Sequence, residues 1–170
     1  MEEIIFNPEE DGKTHINTYS KASTSLGRSL SNFARTPFIH PIDGYFESTE
    51  GYWYFLLTGR EHDDLRTVSR HHAKRLGQEI LRSGRGKYRS RFTEEDKADF
   101  LEALRCKFRQ NRPLLNELVN SSLPLVHYQW YGSYGKYKIN YSYDYQWVLD
   151  EMERIREVCK QAIIKKHSKN

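Results

Sequence analysis

Only two cysteines occur in this chain of 170 residues, Cys106 and Cys159, and they lie far apart with no C-x-x-C pair. That excludes a disulfide framework and a cysteine-built zinc site, and it fits a reducing cytosol. No apolar run approaches the roughly 20 residues that a membrane-spanning helix needs. The start, Met1-Glu2-Glu3-Ile4-Ile5-Phe6, is acidic and has no signal-peptide core. The expectation is a cytoplasmic protein with no membrane partner. The common chemical fingerprints are missing too. There is no P-loop, no H-E-x-x-H and no G-x-S-x-G, and Gly84-Arg85-Gly86 is too short for a dinucleotide fingerprint. His71 and His72 are neighbours, so on a helix they point about 100° apart and read as exposed histidines rather than metal ligands. The expectation is therefore no cofactor and no metal.

What the chain does have is aromatic bulk. Hydrophobic residues are only 37% and the mean hydropathy is -0.85, yet 12 Tyr, 8 Phe and 3 Trp are present. Large rings bury enough surface to offset ordering entropy, which argues for a folded domain. The net charge of +4 is a mild basic excess. It permits a nucleic-acid or phosphate partner without demanding one.

Along the chain, residues 1–14 read as a polar, loosely held N-terminal segment and residues 15–170 as the domain. His15 to Tyr19 alternates like a short strand, and Ser20 to Arg28, rich in Ser, Thr and Gly, reads as a loop. Pro37 and Pro41 keep the next segment out of helix, and Asp43-Gly44 signals a turn. Ser48 or Thr49 caps a helix running to about Leu57 and stopping at Gly59; it is apolar nearly all round, so it is central. A second helix starts at Asp63 or Asp64 and pauses near Gly77. Ser83 to Arg91 reads as a basic loop, with Arg82, Arg85, Lys87, Arg89 and Arg91 available to phosphates. Thr93 followed by three acids starts a helix whose Phe100, Leu101, Leu104 and Phe108 share a face. Pro113 opens a further short helix. Leu123 to Trp130 reads as a strand, Tyr131 to Tyr143 as a loop, and Gln146 to about Lys165 as a final helix with Val148, Leu149, Met152, Ile155 and Val158 inward. The sum is an α+β, mainly helical fold with a few short strands, and not a doubly wound sheet.

One acid stands out. Glu50 lies in the first turn of the apolar helix, within Ser48-Thr49-Glu50-Gly51-Tyr52-Trp53. Read locally, it complements the helix dipole. Its wider setting gives it a second reading, as a carboxylate at a pocket mouth. Tyr19-Ser20 precedes a Gly-containing loop; Leu30-Ser31-Asn32-Phe33 and Pro37-Phe38 follow; then come Ala73 to Gly77 and Ala103 to Phe108. In this order the segments resemble the NADAR (YbiA-like) family, from roughly Ile16 to Glu157.

The resemblance implies a single NADAR-like domain and an N-glycosidase activity. Some members cleave early riboflavin-biosynthesis intermediates. Others remove ADP-ribose from guanine bases of nucleic acid, reversing a DarT-type toxin, through a glutamate and a lysine that forms a Schiff base. Carried onto this chain, the glutamate is Glu50 and the preferred lysine is Lys21, with Lys107 of the Lys-Phe pair as the alternative or as a second-shell, phosphate-binding or snorkelling cation. Ser31, Asn32 and Phe33 form a pocket wall with Trp53. Trp130, Tyr131 and Tyr134 could hold the base, and Asn140 matches a loop asparagine. The implied partner is ADP-ribosylated DNA or another ADP-ribose-containing substrate. Tyr88 and Phe92 stand where many members carry a tryptophan, and Trp130-Tyr131-Gly132 where many carry Trp-Gly. These departures leave three readings: an ADP-ribosyl-guanine glycosidase in a toxin or phage-defence setting, a riboflavin-type glycosidase, and a non-catalytic binding module.

Overall fold

The computed structural model describes residues 6–84, 91–141 and 143–169. The fold is α+β and mainly helical: of the described residues, 55% are helical, 3-10 segments included, and 13% are in strands and bridges. In chain order the elements are β1 (Ile16–Asn17), α1 (Ser25–Leu30), β2 (Phe38–His40), β3 (Gly44–Phe46), α2 (Thr49–Leu57), α3 (Arg70–Arg82), α4 (Glu94–Gln110), α5 (Arg112–Asn120), β4 (Leu125–Val126), β5 (Tyr128–Tyr131), β6 (Lys138–Tyr141) and α6 (Gln146–His167). Short 3-10 segments occupy Pro8–Glu10, Asp63–Thr67 and Tyr143–Tyr145. The chain forms two units: a central one, Asn32–Asn116, and a terminal one built from Met1–Ser31 and Glu117–Asn170.

In the central unit, β2 and β3 form an antiparallel hairpin with Phe38 opposite Phe46 and His40 opposite Gly44. Gly44 adopts φ +81°, which only glycine takes at little cost, so the Asp43-Gly44 turn forms as the sequence predicts. Helix α2 is capped by Ser48, whose Oγ accepts the Gly51 N–H, and it buries Tyr52, Phe55 and Leu56. Those rings meet Phe46 and Phe100: the Phe46 and Tyr52 centroids lie 4.8 Å apart, edge to face. Each fully buried ring contributes about 2–3 kcal/mol by area. Helix α4 starts with a capping box between Thr93 and Asp96, and Phe100, Ala103, Leu104 and Phe108 point inward.

Two central readings change. The helix expected from Asp63 is a 3-10 turn followed by extended Val68 and Ser69 before α3 begins. Tertiary bonds hold that break: Ser48 Oγ donates to Val68 O, and Gly51 leaves room for Leu65 O, which would lie 2.4 Å from any Cβ there. Gly77 does not pause α3. The helix runs through it, and a Cβ at Gly77 would sit 2.1 Å from Cγ of Tyr54, so the glycine admits that ring. The basic loop keeps Arg82 and Arg91 exposed, while Arg85, Lys87 and Arg89, like Tyr88, fall outside the described residues.

In the terminal unit, β1 pairs in parallel with β4, Ile16 opposite Leu125. The stretch read as a Ser20 to Arg28 loop contains α1. Thr24 caps it by accepting the Gly27 N–H, and Gly27 itself lies too close to Asn17 O for any Cβ. The Ser, Thr and Gly that suggest a loop are here a cap and a point of close approach. The strand expected over Leu123 to Trp130 divides at His127, whose Nδ1 bonds Thr18 O. Residues expected as a Tyr131 to Tyr143 loop instead supply β6, which pairs antiparallel with β5 in the register Tyr128–Tyr141 and Trp130–Ile139. Positive φ at Gly132 and Gly135 confines the turn to the segment between them. Near the N-terminus, Asp11 is buried and accepts the Asn17 and Ser23 N–H groups. Helix α6 buries Val148, Leu149, Met152 and Ile155 as predicted, but Val158 is 54% exposed. The packing ends one turn earlier, at Arg156, which donates to Leu123 O.

Candidate active site

The Ser48-Thr49-Glu50-Gly51 turn leaves one side chain for chemistry. Ser48 is spent on the cap and on Val68. Thr49 Oγ1 donates to Asn32 Oδ1 at 2.9 Å. The Glu50 N–H donates to Asn32 O at 2.9 Å, which fixes the backbone beneath the carboxylate. Gly51 takes the close approach of Leu65. Glu50 as a whole is half-buried, while its carboxyl end lies in a strongly desolvated setting.

Its surroundings hold it near neutrality. Burial pushes the Glu50 carboxyl from about 4.5 up to about 7, and the Lys74 ammonium pulls it back. Desolvation therefore outweighs the favourable cation and the helix N-terminus together. At neutral pH both protonation states are populated, which suits a group that gives and takes protons. One helical turn on, burial raises the Tyr54 hydroxyl to about 12; the Glu50 charge pushes the same way, and a hydrogen bond to Gln78 opposes it.

Asn32 and Phe33 meet Glu50's neighbourhood from the same loop. Phe33 is half-buried and its O accepts the Arg70 N–H. Its ring stands edge-on to His71, centroids 5.2 Å apart, and Lys74 Nζ lies 5.9 Å from the ring centre. Trp53 packs on Phe92 at 4.3 Å and perpendicular to Phe100 at 5.2 Å, which makes it part of the central aromatic cluster. Lys107 is 0% exposed, and burial lowers its amine to about 7. It is therefore not a snorkelling surface cation.

The remaining sequence-predicted residues belong to the terminal unit. Lys21 is exposed. Ser31 is buried and closes α1 by donating its N–H to Gly27 O. Trp130 is half-buried against Tyr137, centroids 5.3 Å apart. Tyr131 and Tyr134 are exposed, and Asn140 is exposed opposite Gln129 in β6. The hairpin thus presents aromatic and amide groups together.

Sequence reasoning missed Lys74, Tyr54, His71 and Gln78. The signal was present as spacing: Tyr54 stands four residues after Glu50 on α2, while His71, Lys74 and Gln78 fall on one face of α3. What the sequence does not carry is that Gly77 lets α2 and α3 meet along this line. Among the described residues, no group of three or more His, Cys, Asp or Glu side chains could hold a metal, and no helix is long and apolar enough to cross a membrane.

Comparison with known proteins agrees on architecture. No protein-family model and no curated protein matches the chain. Among solved structures, the NMR structure of the E. coli protein YbiA is similar, with a TM-score of 0.56 and 24% sequence identity over 95% of each chain. The chain therefore has a YbiA-like fold along nearly its whole length.

Proposed function

We propose that this protein is an N-glycosidase that removes ADP-ribose from guanine bases of nucleic acid, with Glu50 as its proton-transfer group. The observation that carries this reading is Glu50 itself: a desolvated carboxyl, held at about 7 by burial, in a YbiA-like fold. Breaking the bond between sugar C1 and the base nitrogen needs proton movement as the ribose ring opens. Protonated Glu50 gives its proton to the ring oxygen as the C1–O bond breaks. A lysine amine then adds to C1, and the base leaves with its electron pair and a proton, giving an imine. Water adds to the imine, the lysine departs as the amine, and ADP-ribose is released.

Lys21 is the lysine we assign to the imine, because its side chain is exposed and a substrate can reach it. Burial brings the Lys107 amine down to about 7, toward the neutral form that the chemistry requires, but it is sealed at 0% exposure. The exposed Trp130–Asn140 hairpin supplies rings on which an unstacked base can rest. Such an activity would suit an antitoxin or a counter-defence protein acting against a DarT-type toxin.

The test is incubation of purified protein with an oligonucleotide carrying ADP-ribosylated guanine, followed by borohydride. Release of ADP-ribose, with a covalent adduct that disappears in Lys21→Ala and persists in Lys107→Ala, is the expected result. Turnover of a riboflavin-type intermediate with none of the oligonucleotide would replace the substrate assignment. Binding of ADP-ribose without turnover of either would reduce the protein to a binding module.

A further inference from the structure

Helix α3 opens with Arg70-His71-His72-Ala73-Lys74-Arg75, five basic side chains in six residues and no acid in its first turn. The arrangement costs stability. Like charges at helical spacing repel, and cations at a helix N-terminus oppose its dipole, each by a few tenths of a kcal/mol. Residues His71, His72, Lys74, Arg75 and Gln78 line one groove of about 370 Å³, a size that suits a small ligand. Among the described residues, no salt bridge engages His72, Lys74 or Arg75. The side chains are accessible as well, His71, His72 and Arg75 being exposed and Lys74 and Gln78 half-buried.

Two of the residues that line the groove also act on the candidate active site. Lys74 lines it and is also the cation that acts on Glu50. Gln78 lines it and hydrogen-bonds Tyr54, one helical turn from Glu50. Phe33 abuts His71 at its edge. A ligand held in the groove would thus have its anionic part on α3 and its next group beside Glu50.

We infer that the α3 groove is an anion subsite for the diphosphate of the substrate, with Lys74 and Arg75 as its cations and His72 as a further donor. Lys74 and Arg75 diverge by about 100° on the helix yet line the same groove, so they can meet the separate phosphates of a diphosphate, and charge-assisted bonds to both would relieve the crowding of positive charge at the helix start. The inference rests on the glycosidase reading only for the identity of the molecule that carries the diphosphate.

Isothermal titration of the full chain with ADP-ribose, adenosine and an unmodified single-stranded oligonucleotide tests it, in wild type and in Lys74→Met/Arg75→Ala. Thermal unfolding of the variant confirms that it is folded; the single Arg75→Ala, at an exposed site, serves if the double variant is not. The double variant is expected to weaken ADP-ribose binding about tenfold or more, to flatten its salt dependence, and to leave adenosine binding unchanged. Unchanged ADP-ribose affinity overturns the inference. A loss confined to the oligonucleotide overturns it as well, since the groove would then be a contact for backbone phosphates. Separate turnover assays keep the two ideas apart. Wild type that binds ADP-ribose through α3 but releases none from modified guanine defeats the glycosidase reading and leaves the subsite standing. Normal turnover together with an indifferent double variant does the reverse.

Discussion

The two units differ in the polar groups they bury. The central unit buries groups that titrate: burial brings both Glu50 and Lys107 to about 7. The terminal unit buries polar groups that are satisfied by hydrogen bonds. Asn17 donates to Tyr128 O and accepts the Tyr128 N–H, and His15 Nε2 sits 2.7 Å from the Tyr128 hydroxyl. Its titratable candidate, Lys21, is exposed, as are the rings of Tyr131 and Tyr134. A buried titratable group is unfavourable for folding and useful for proton transfer, whereas satisfied buried polarity specifies structure.

The comparison can be broken most severely at Glu50. Glu50→Gln keeps the shape and the Asn32 backbone contact but removes the titrating group, so turnover should fall by about 10²–10⁴-fold with the fold intact. Steady-state kinetics beside a circular-dichroism spectrum would show whether it does.

Next comes the charge network that steadies the central unit. Arg60 bonds Asp43 at 2.8 Å, Asp96 at 3.3 Å and Asp99 at 2.6 Å, while the Tyr52 hydroxyl donates to Asp43. Arg60→Ala leaves three neighbouring carboxylates without their shared cation. Allowing for its partial exposure, the expected loss is about 2–4 kcal/mol in denaturant unfolding. The terminal counterpart, Asn17→Ala, removes both bonds to Tyr128 and should cost about 1–3 kcal/mol.

The pH dependence sharpens the comparison further. Glu50 titrates near 7 folded and near 4.5 as an ordinary carboxyl, so the folded chain binds more protons in that window and its stability falls as pH rises through it. Lys107 titrates near 7 folded against 10.5 ordinarily. The unfolded chain then binds more protons, and stability rises from pH 7 toward 10.5. Glu50→Gln should therefore stabilise the protein by about 1–3 kcal/mol above pH 7 and not below pH 4.5. Lys107→Met should stabilise it most at or below pH 7, with the gain vanishing toward pH 10.5. Urea titrations at pH 4.5, 7 and 10 read both slopes.

The smallest effect is expected on the terminal hairpin. Tyr134→Ala should weaken binding of a modified oligonucleotide by about 1 kcal/mol through lost stacking, leaving global stability unchanged. Fluorescence anisotropy measures it.

Much of the fold could be read from the chain because its caps are local. Ser48, Thr93 and the prolines at 37 and 41 mark boundaries that the structure keeps. The failures share a physical cause. Ser, Thr and Gly at 20–28 and Gly and Tyr at 131–143 suggest loops by composition, yet Thr24 caps a helix and Tyr128 pairs with Tyr141 across a hairpin. Gly77 reads as a helix breaker, yet it admits the Tyr54 ring. Glu50 could be found because its motif is contiguous. Its partners on α3 could not, because their placement depends on a helix–helix approach that no single stretch of sequence displays.

The most direct test of the account is the pH profile of kcat/KM on an ADP-ribosylated-guanine oligonucleotide, for wild type and Glu50→Gln. The account predicts a wild-type limb near pH 7 that is absent from a variant of greatly reduced rate. A Glu50→Gln protein with wild-type kcat/KM and an unaltered profile would contradict it.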